Sequence, residues 1–169
     1  DYENSIHYLR NARETFHRLG DHLGAAEAEM DIGRCYSLLG KIDLALDTLT
    51  HSREMYSVLL SATDSLLVSK AQYGILGTYH YSFAALYFVN QFKQALRVLG
   101  EYENAVLRFG RRDNMPNLYS NIGLTYSTLG EYEKANEYYL KGLKIAEELN
   151  AWDGQLVLLV NLASLYESR

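Results

Sequence analysis

A single thiol, five histidines and several neighbouring carboxylates are the groups through which this 169-residue chain could do covalent, acid–base or metal chemistry. Their spacing argues against all three. Cys35 has no histidine near it in sequence and sits directly before Tyr36, so nothing local would hold it as a thiolate, and it reads as a buried, inert thiol. His7, His17, His22, His51 and His80 fall at no separation that gathers metal ligands, and His17 and His22 flank a turn. Glu147-Glu148 and the Glu131/Glu133 pair read as solvated helix ends. The chain has no glycine-rich phosphate loop, no nucleophile elbow and no H-E-x-x-H. The expectation is therefore a protein that is not an enzyme and uses no cofactor or metal. Its polar residues are better suited to binding. The amides of Asn121 and Asn161 each offer two N–H donors and a carbonyl acceptor, which match the C=O and N–H of another polypeptide backbone.

The elements that must position these groups are helices. There is one proline, Pro116, where a helix is expected to start and proline is tolerated. Helical spacing of apolar residues runs through Tyr2–Leu19, Ala25–Leu39, Ile42–Leu59, Asp64–Val89, Gln91–Phe109, Pro116–Leu129, Tyr132–Leu149 and Asp153–Glu167. Gly20, Gly40, Gly100, Gly110 and Gly130 include the expected helix-end glycines, although Gly100 could also lie inside a helix. Asp64–Val89 reads as one unusually long helix whose weak points are Gly74 and Gly77.

These helices repeat. Tyr119-x2-Ile122-Gly123-x2-Tyr126 leads to Ala135-x3-Tyr139, and Glu29-x2-Ile32-Gly33-x2-Tyr36 leads to Ala45-x3-Leu49. His80-x2-Phe83-Ala84-x2-Tyr87 leads to Ala95-x3-Leu99, and Leu159-x2-Leu162-Ala163-x2-Tyr166 opens another copy. The second elements begin at Ser5, Ala45, Ala95 and Ala135, in steps of 40, 50 and 40 residues. The excess of the middle step lies in Ser61–Gly77, and Tyr87 to Ala95 is one residue shorter than Tyr126 to Ala135, which implies a tighter turn at Asn90-Gln91. The small residues suit close helix crossings, and most of the fifteen tyrosines fall on packing positions.

The pattern resembles the tetratricopeptide repeat, in a longer form than the roughly 34-residue unit. Its first position is not Trp in any copy, and its closing Pro is missing. Similar long repeats occur in sensory arms of bacterial regulators and in polarity scaffolds. The resemblance implies an all-α fold: an α-solenoid of antiparallel helix pairs, right-handed, with about seven helices. The expected organisation is one solenoid fragment, with a partial repeat over 1–23, a repeat over 24–60, an elongated repeat over 61–112, a repeat over 113–150 and a partial repeat over 151–169. Because it starts at what reads as a second helix and ends after a first helix, the chain is expected to be a fragment of a larger protein.

In this family the first helix of each pair lines a concave groove that holds a peptide or partner segment. Carried onto this chain, the groove residues are Asp31, Arg34, Tyr81, Phe88, Asn117, Asn121, Leu124 and Asn161. Asn121 and Asn161 share one repeat position, with Asp31 as their earlier counterpart; they either contact ligand or bridge neighbouring helices of the scaffold. Tyr81, Phe88 and Val89 form an apolar patch, either a pocket for a ligand anchor or core covered by Ser61–Gly77, the second being favoured. Arg34 is the one basic residue among the groove positions read here, too few for a clamp on an acidic peptide terminus. Thus the expected partner is a protein or peptide, bound within a larger regulatory or signalling protein. A net charge of −5 argues against direct nucleic-acid binding, and no apolar run is long enough for a membrane span. The lone cysteine and the missing signal peptide fit a cytoplasmic setting. The rival expectation is self-association, as a homodimer joined through the end helices, where Leu156, Leu159, Leu162, Ala163 and Tyr166 would need a partner helix.

Overall fold

The computed structural model describes residues 1–167. Among them there are eight α-helices and no strand: α1 (Tyr2–Leu19), α2 (His22–Leu38), α3 (Ile42–Leu59), α4 (Ser65–Phe88), α5 (Phe92–Phe109), α6 (Met115–Thr128), α7 (Tyr132–Glu148) and α8 (Trp152–Glu167). A short 3-10 turn, Arg112–Asn114, precedes α6. The all-α class is as expected, with one helix more than the rough count. The helices group into two compact units, Asp1–Asn90 and Gln91–Arg169, and the boundary falls inside the stretch assigned to the elongated repeat.

Local signals set the helix ends. Side chains of Asp1, Asp21 and Asp64 accept hydrogen bonds from backbone N–H groups in the first turns of α1, α2 and α4. Four turns close on a left-handed glycine, Gly20, Gly40, Gly110 and Gly130, with φ of 65° to 76°. After α4 and α7 the same conformation is taken by Asn90 and Asn150, at φ 61° and 52°. Gly100 lies inside α5. The long helix α4 runs through Gly74 and Gly77 without a break.

Within the first unit, α2 packs between α1 and α3, and α4 packs on both α3 and α2. Gly33 lets α2 lie on α3: a Cβ there would stand 2.7 Å from the Leu49 side chain. Gly74 does the same for α4, where a Cβ would meet the ring of buried Tyr56. Ile6, Ile32, Cys35, Tyr36 and Ala45 make a core cluster, with Leu9 and Leu39 against it. Glu29 is buried in this unit at 5 % exposure. Its carboxylate accepts from the Arg13 guanidinium on α1 and pairs with His51 Nδ1 on α3 at 2.8 Å. One buried acid thus ties three helices, at the repeat position where the family pattern has an aromatic.

In the second unit, α6 packs on α7, and α8 packs on both. Gly123 is the close crossing of α6 with α7, where a Cβ would fall 2.5 Å from the Tyr139 ring. Ala135, Tyr139, Ala146, Leu158, Leu162 and Leu165 form its core cluster. Leu162 was expected to await a partner helix but is only 6 % exposed. The buried stripe of α8 is Leu158, Leu162 and Leu165, a helical spacing that turns Leu162 onto α7. Leu156, Leu159, Ala163 and Tyr166 remain exposed.

Candidate functional site

The expected groove residues divide evenly between the two units. Asp31 and Arg34 on α2 and Tyr81 and Phe88 on α4 belong to the first. Asn117, Asn121 and Leu124 on α6 and Asn161 on α8 belong to the second.

In the first unit, three of the four meet. Arg34, Tyr81 and Phe88 line an open hollow of about 480 Å³ between α2 and α4, together with Leu38 and Ala84. The Arg34 guanidinium is held from two sides. Asp31, one helical turn back, is 3.3 Å away, and the Tyr81 ring lies beneath it with its centroid at 5.7 Å. A hydrogen bond to Tyr81 and the Asp31 charge both raise the pKa of Arg34, so its positive charge is locked in. His80 stands at the rim, exposed by area, yet enough protein surrounds its ring for desolvation to lower its pKa below the ordinary histidine value.

The covered-core reading of the apolar patch is overturned. Phe88 is 80 % exposed, and Val89 is exposed as well. The reason is distance along the helix. The extra turns of Ser61–Gly77 lengthen α4 at its N-terminal end, whereas Phe88 is its last residue; 24 residues span roughly 36 Å. Thr78, Ser82 and Ala85, between and beside Tyr81 and Phe88 on α4, are buried. Flanked by α3 at Gly74 and by α2 at Gly77, where a Cβ would meet Met30 Sδ at 3.3 Å, α4 has less free face than an ordinary first helix. The Thr78 and Ser82 hydroxyls are satisfied by donating to the carbonyls of Ile75 and Thr78 in their own helix.

In the second unit, the asparagines do different things. Asn161 Nδ2 donates to Ser120 Oγ at 2.9 Å, tying α8 to α6, so part of its amide serves the scaffold. Ser120 is buried beneath this bond. The Asn121 amide is half-buried and has no side-chain hydrogen bond among the described residues; only its backbone carbonyl is used, accepting from Thr125 Oγ1. Asn117 is exposed and Leu124 half-buried beside it. The Tyr119 hydroxyl donates to Glu103 Oε1 at 2.9 Å, and burial together with that carboxylate pushes its pKa up to about 12.

Cys35 is buried, and desolvation raises its pKa, which keeps the thiol protonated and unreactive. His51 is engaged by Glu29, a pairing across 22 residues that no local motif signals. No helix among the described residues is long and apolar enough to cross a membrane.

Models of the tetratricopeptide repeat match residues 1–57 and 116–149, together more than half of the chain. No curated protein matches it. Among solved structures, the apo form of RapI is similar over 96 % of this chain and 44 % of its own, with a TM-score of 0.74 and 14 % identity. BtubC (BKLC) from P. vanneervenii is similar over 99 % of this chain and 66 % of its own, with a TM-score of 0.73 and 16 % identity. The chain thus spans less than two thirds of either relative, and identities this low carry a shared fold and nothing about ligands.

Proposed function

Because the chain belongs to the tetratricopeptide-repeat family, a family of protein-interaction modules, we propose that it holds an extended or helical segment of another polypeptide against its first-helix faces. The observation that carries this reading is the Asn121 amide, half-buried on α6 with no side-chain partner among the described residues. The amide's polar atoms are open to solvent, and a peptide backbone can pair with it on both the donor and the acceptor side. Asn117 and Leu124, near it on the same helix, extend the contact to either side. The bound segment lies within a larger regulatory or signalling assembly in the cytoplasm. The chain itself performs no catalysis and contacts neither nucleic acid nor membrane.

The test is capture of partners from source lysate by the wild-type chain and by Asn121→Ala, read by mass spectrometry. Because Asn161 also holds Ser120, its substitution mixes binding with stability, and the single variant is the cleaner probe. A partner captured by the wild type and lost in Asn121→Ala, with the melting curve unchanged, is the expected result. Equal capture by both proteins sinks the reading.

A second reading, self-association, is favoured by α8, where Leu156, Leu159, Val160 and Tyr166 all face solvent. Sedimentation across a concentration series tests it: a monomer at all concentrations, or a dimer unaffected by Leu156→Lys with Leu159→Lys, rules it out.

A further inference from the structure

The hollow in the first unit has features that narrow what a ligand there must be. Its walls are apolar where they face outward: Phe88 and Leu38 are both exposed, and Ala84 forms part of the lining. Large exposed aromatic and aliphatic side chains beside a concavity are the usual setting of an anchor pocket at a protein interface. Its volume, about 480 Å³, lies within the ~300–1,000 Å³ usual for pockets that enclose a ligand. The charge at its edge is balanced. Arg34 carries one positive charge, Asp31 sits 3.3 Å from it, and the pair sums to zero. A free cation would favour an acidic ligand; a compensated one gives an anion little net attraction and still offers directed donors. Of the five N–H donors of the exposed Arg34 guanidinium, Asp31 and Tyr81 engage only part, which leaves others open to a carbonyl.

We propose that the α2–α4 hollow takes one large apolar side chain, aromatic or branched aliphatic, from an uncharged stretch of a partner polypeptide, with Arg34 donating to the backbone carbonyl of that residue. This rests on the peptide-binding reading above and adds the identity of the anchor. The exposed Leu38 and Phe88 side chains and the half-buried Ala84 line the hollow, and Asp31 sets the neutrality that selects against acidic flanks.

The probe is N-acetyl-phenylalanine amide, titrated into the isotope-labelled full chain and followed by two-dimensional amide spectra. N-acetyl-phenylalanine with its free carboxylate and N-acetylglycine amide are run beside it. The expected result is saturable shifts at Ser37, Leu38 and Ala84 with the phenylalanine amide and none with the glycine amide. Phe88→Ser and Leu38→Ser, both at exposed positions that leave the fold intact, are each expected to weaken binding by about threefold or more. Asp31→Asn uncovers the Arg34 charge and is expected to shift preference toward the carboxylate form. If the wild-type chain binds the carboxylate form tenfold tighter than the amide, Arg34 acts as a free cation and the neutral-anchor assignment is wrong. If no shifts appear in the hollow while a partner is still captured through Asn121, the hollow is not the anchor site and the broader reading stands. If shifts are absent and capture also fails, both fall.

Discussion

At the residue scale the repeat is a set of absences of side chain. Gly123 has no Cβ because one would lie 2.5 Å from the Tyr139 ring, a separation that real side chains do not reach. Gly123→Leu is therefore expected to destabilise the second unit by about 3 kcal/mol or more, at the top of the overpacking range. An unchanged melting temperature would refute the register. Glu29 is the opposite case, a charge at the position where the family pattern has an aromatic. With Arg13 and His51 as its partners, Glu29→Gln is expected to cost about 1–2 kcal/mol, discounted because both partners are partly exposed. Urea midpoints for E29Q and wild type measure it. The buried tyrosines give a pH dependence. Burial pushes Tyr102 and Tyr119 up to about 12 from 10.0. A folded-state pKa above the unfolded one favours the protonated form in the fold. Their contribution is thus fully present below pH 10 and is lost as pH rises toward about 12. The urea midpoint should hold steady up to pH 10 and then fall; a midpoint rising over that window contradicts the assignment.

At the element scale the same residue type has opposite meanings in different places. Gly130 closes α6 at φ 76° with nothing within 4 Å of where its Cβ would be. Gly130→Ala therefore costs backbone strain alone, about 1 kcal/mol. Gly100 also has open space around it but lies inside α5 at ordinary helical φ. There alanine is expected to add about 0.5–1 kcal/mol, because glycine weakens a helix interior. Thermal melts of the two variants should move in opposite directions; equal shifts would mean that the turn assignment is wrong. The length of α4 has a consequence for binding. Its extra turns extend it at the N-terminus, so Phe88 at the other end stays open to solvent.

At the scale of the whole molecule, the chain forms two compact units, each holding a core cluster of its own, and the first contains the hollow. A fragment of residues 1–90 is expected to fold on its own, with a helical circular-dichroism spectrum and a cooperative melt; a non-cooperative melt would show that its core depends on the remainder. Helix positions and the crossing glycines Gly33 and Gly123 were legible from sequence because each follows from spacing within one helix or one repeat. The tyrosines were not, since of fifteen only Tyr36, Tyr56, Tyr102 and Tyr139 are buried. Helical periodicity and the left-handed glycines also placed most helix ends within a few residues. The candidate site was legible only as a list of positions. That Arg34, Tyr81 and Phe88 meet at one hollow while Asn161 is drawn back onto Ser120 depends on which helix lies across which. The burial of Thr78, Ser82 and Ala85 arose because α4 is flanked on two sides, and the Glu29–His51 pair because α2 and α3 lie together. Local pattern is encoded in near neighbours along the chain, so the sequence determined the elements. Exposure and pairing across helices depend on packing between distant segments, so only the tertiary structure decided which polar and apolar groups were left free to bind.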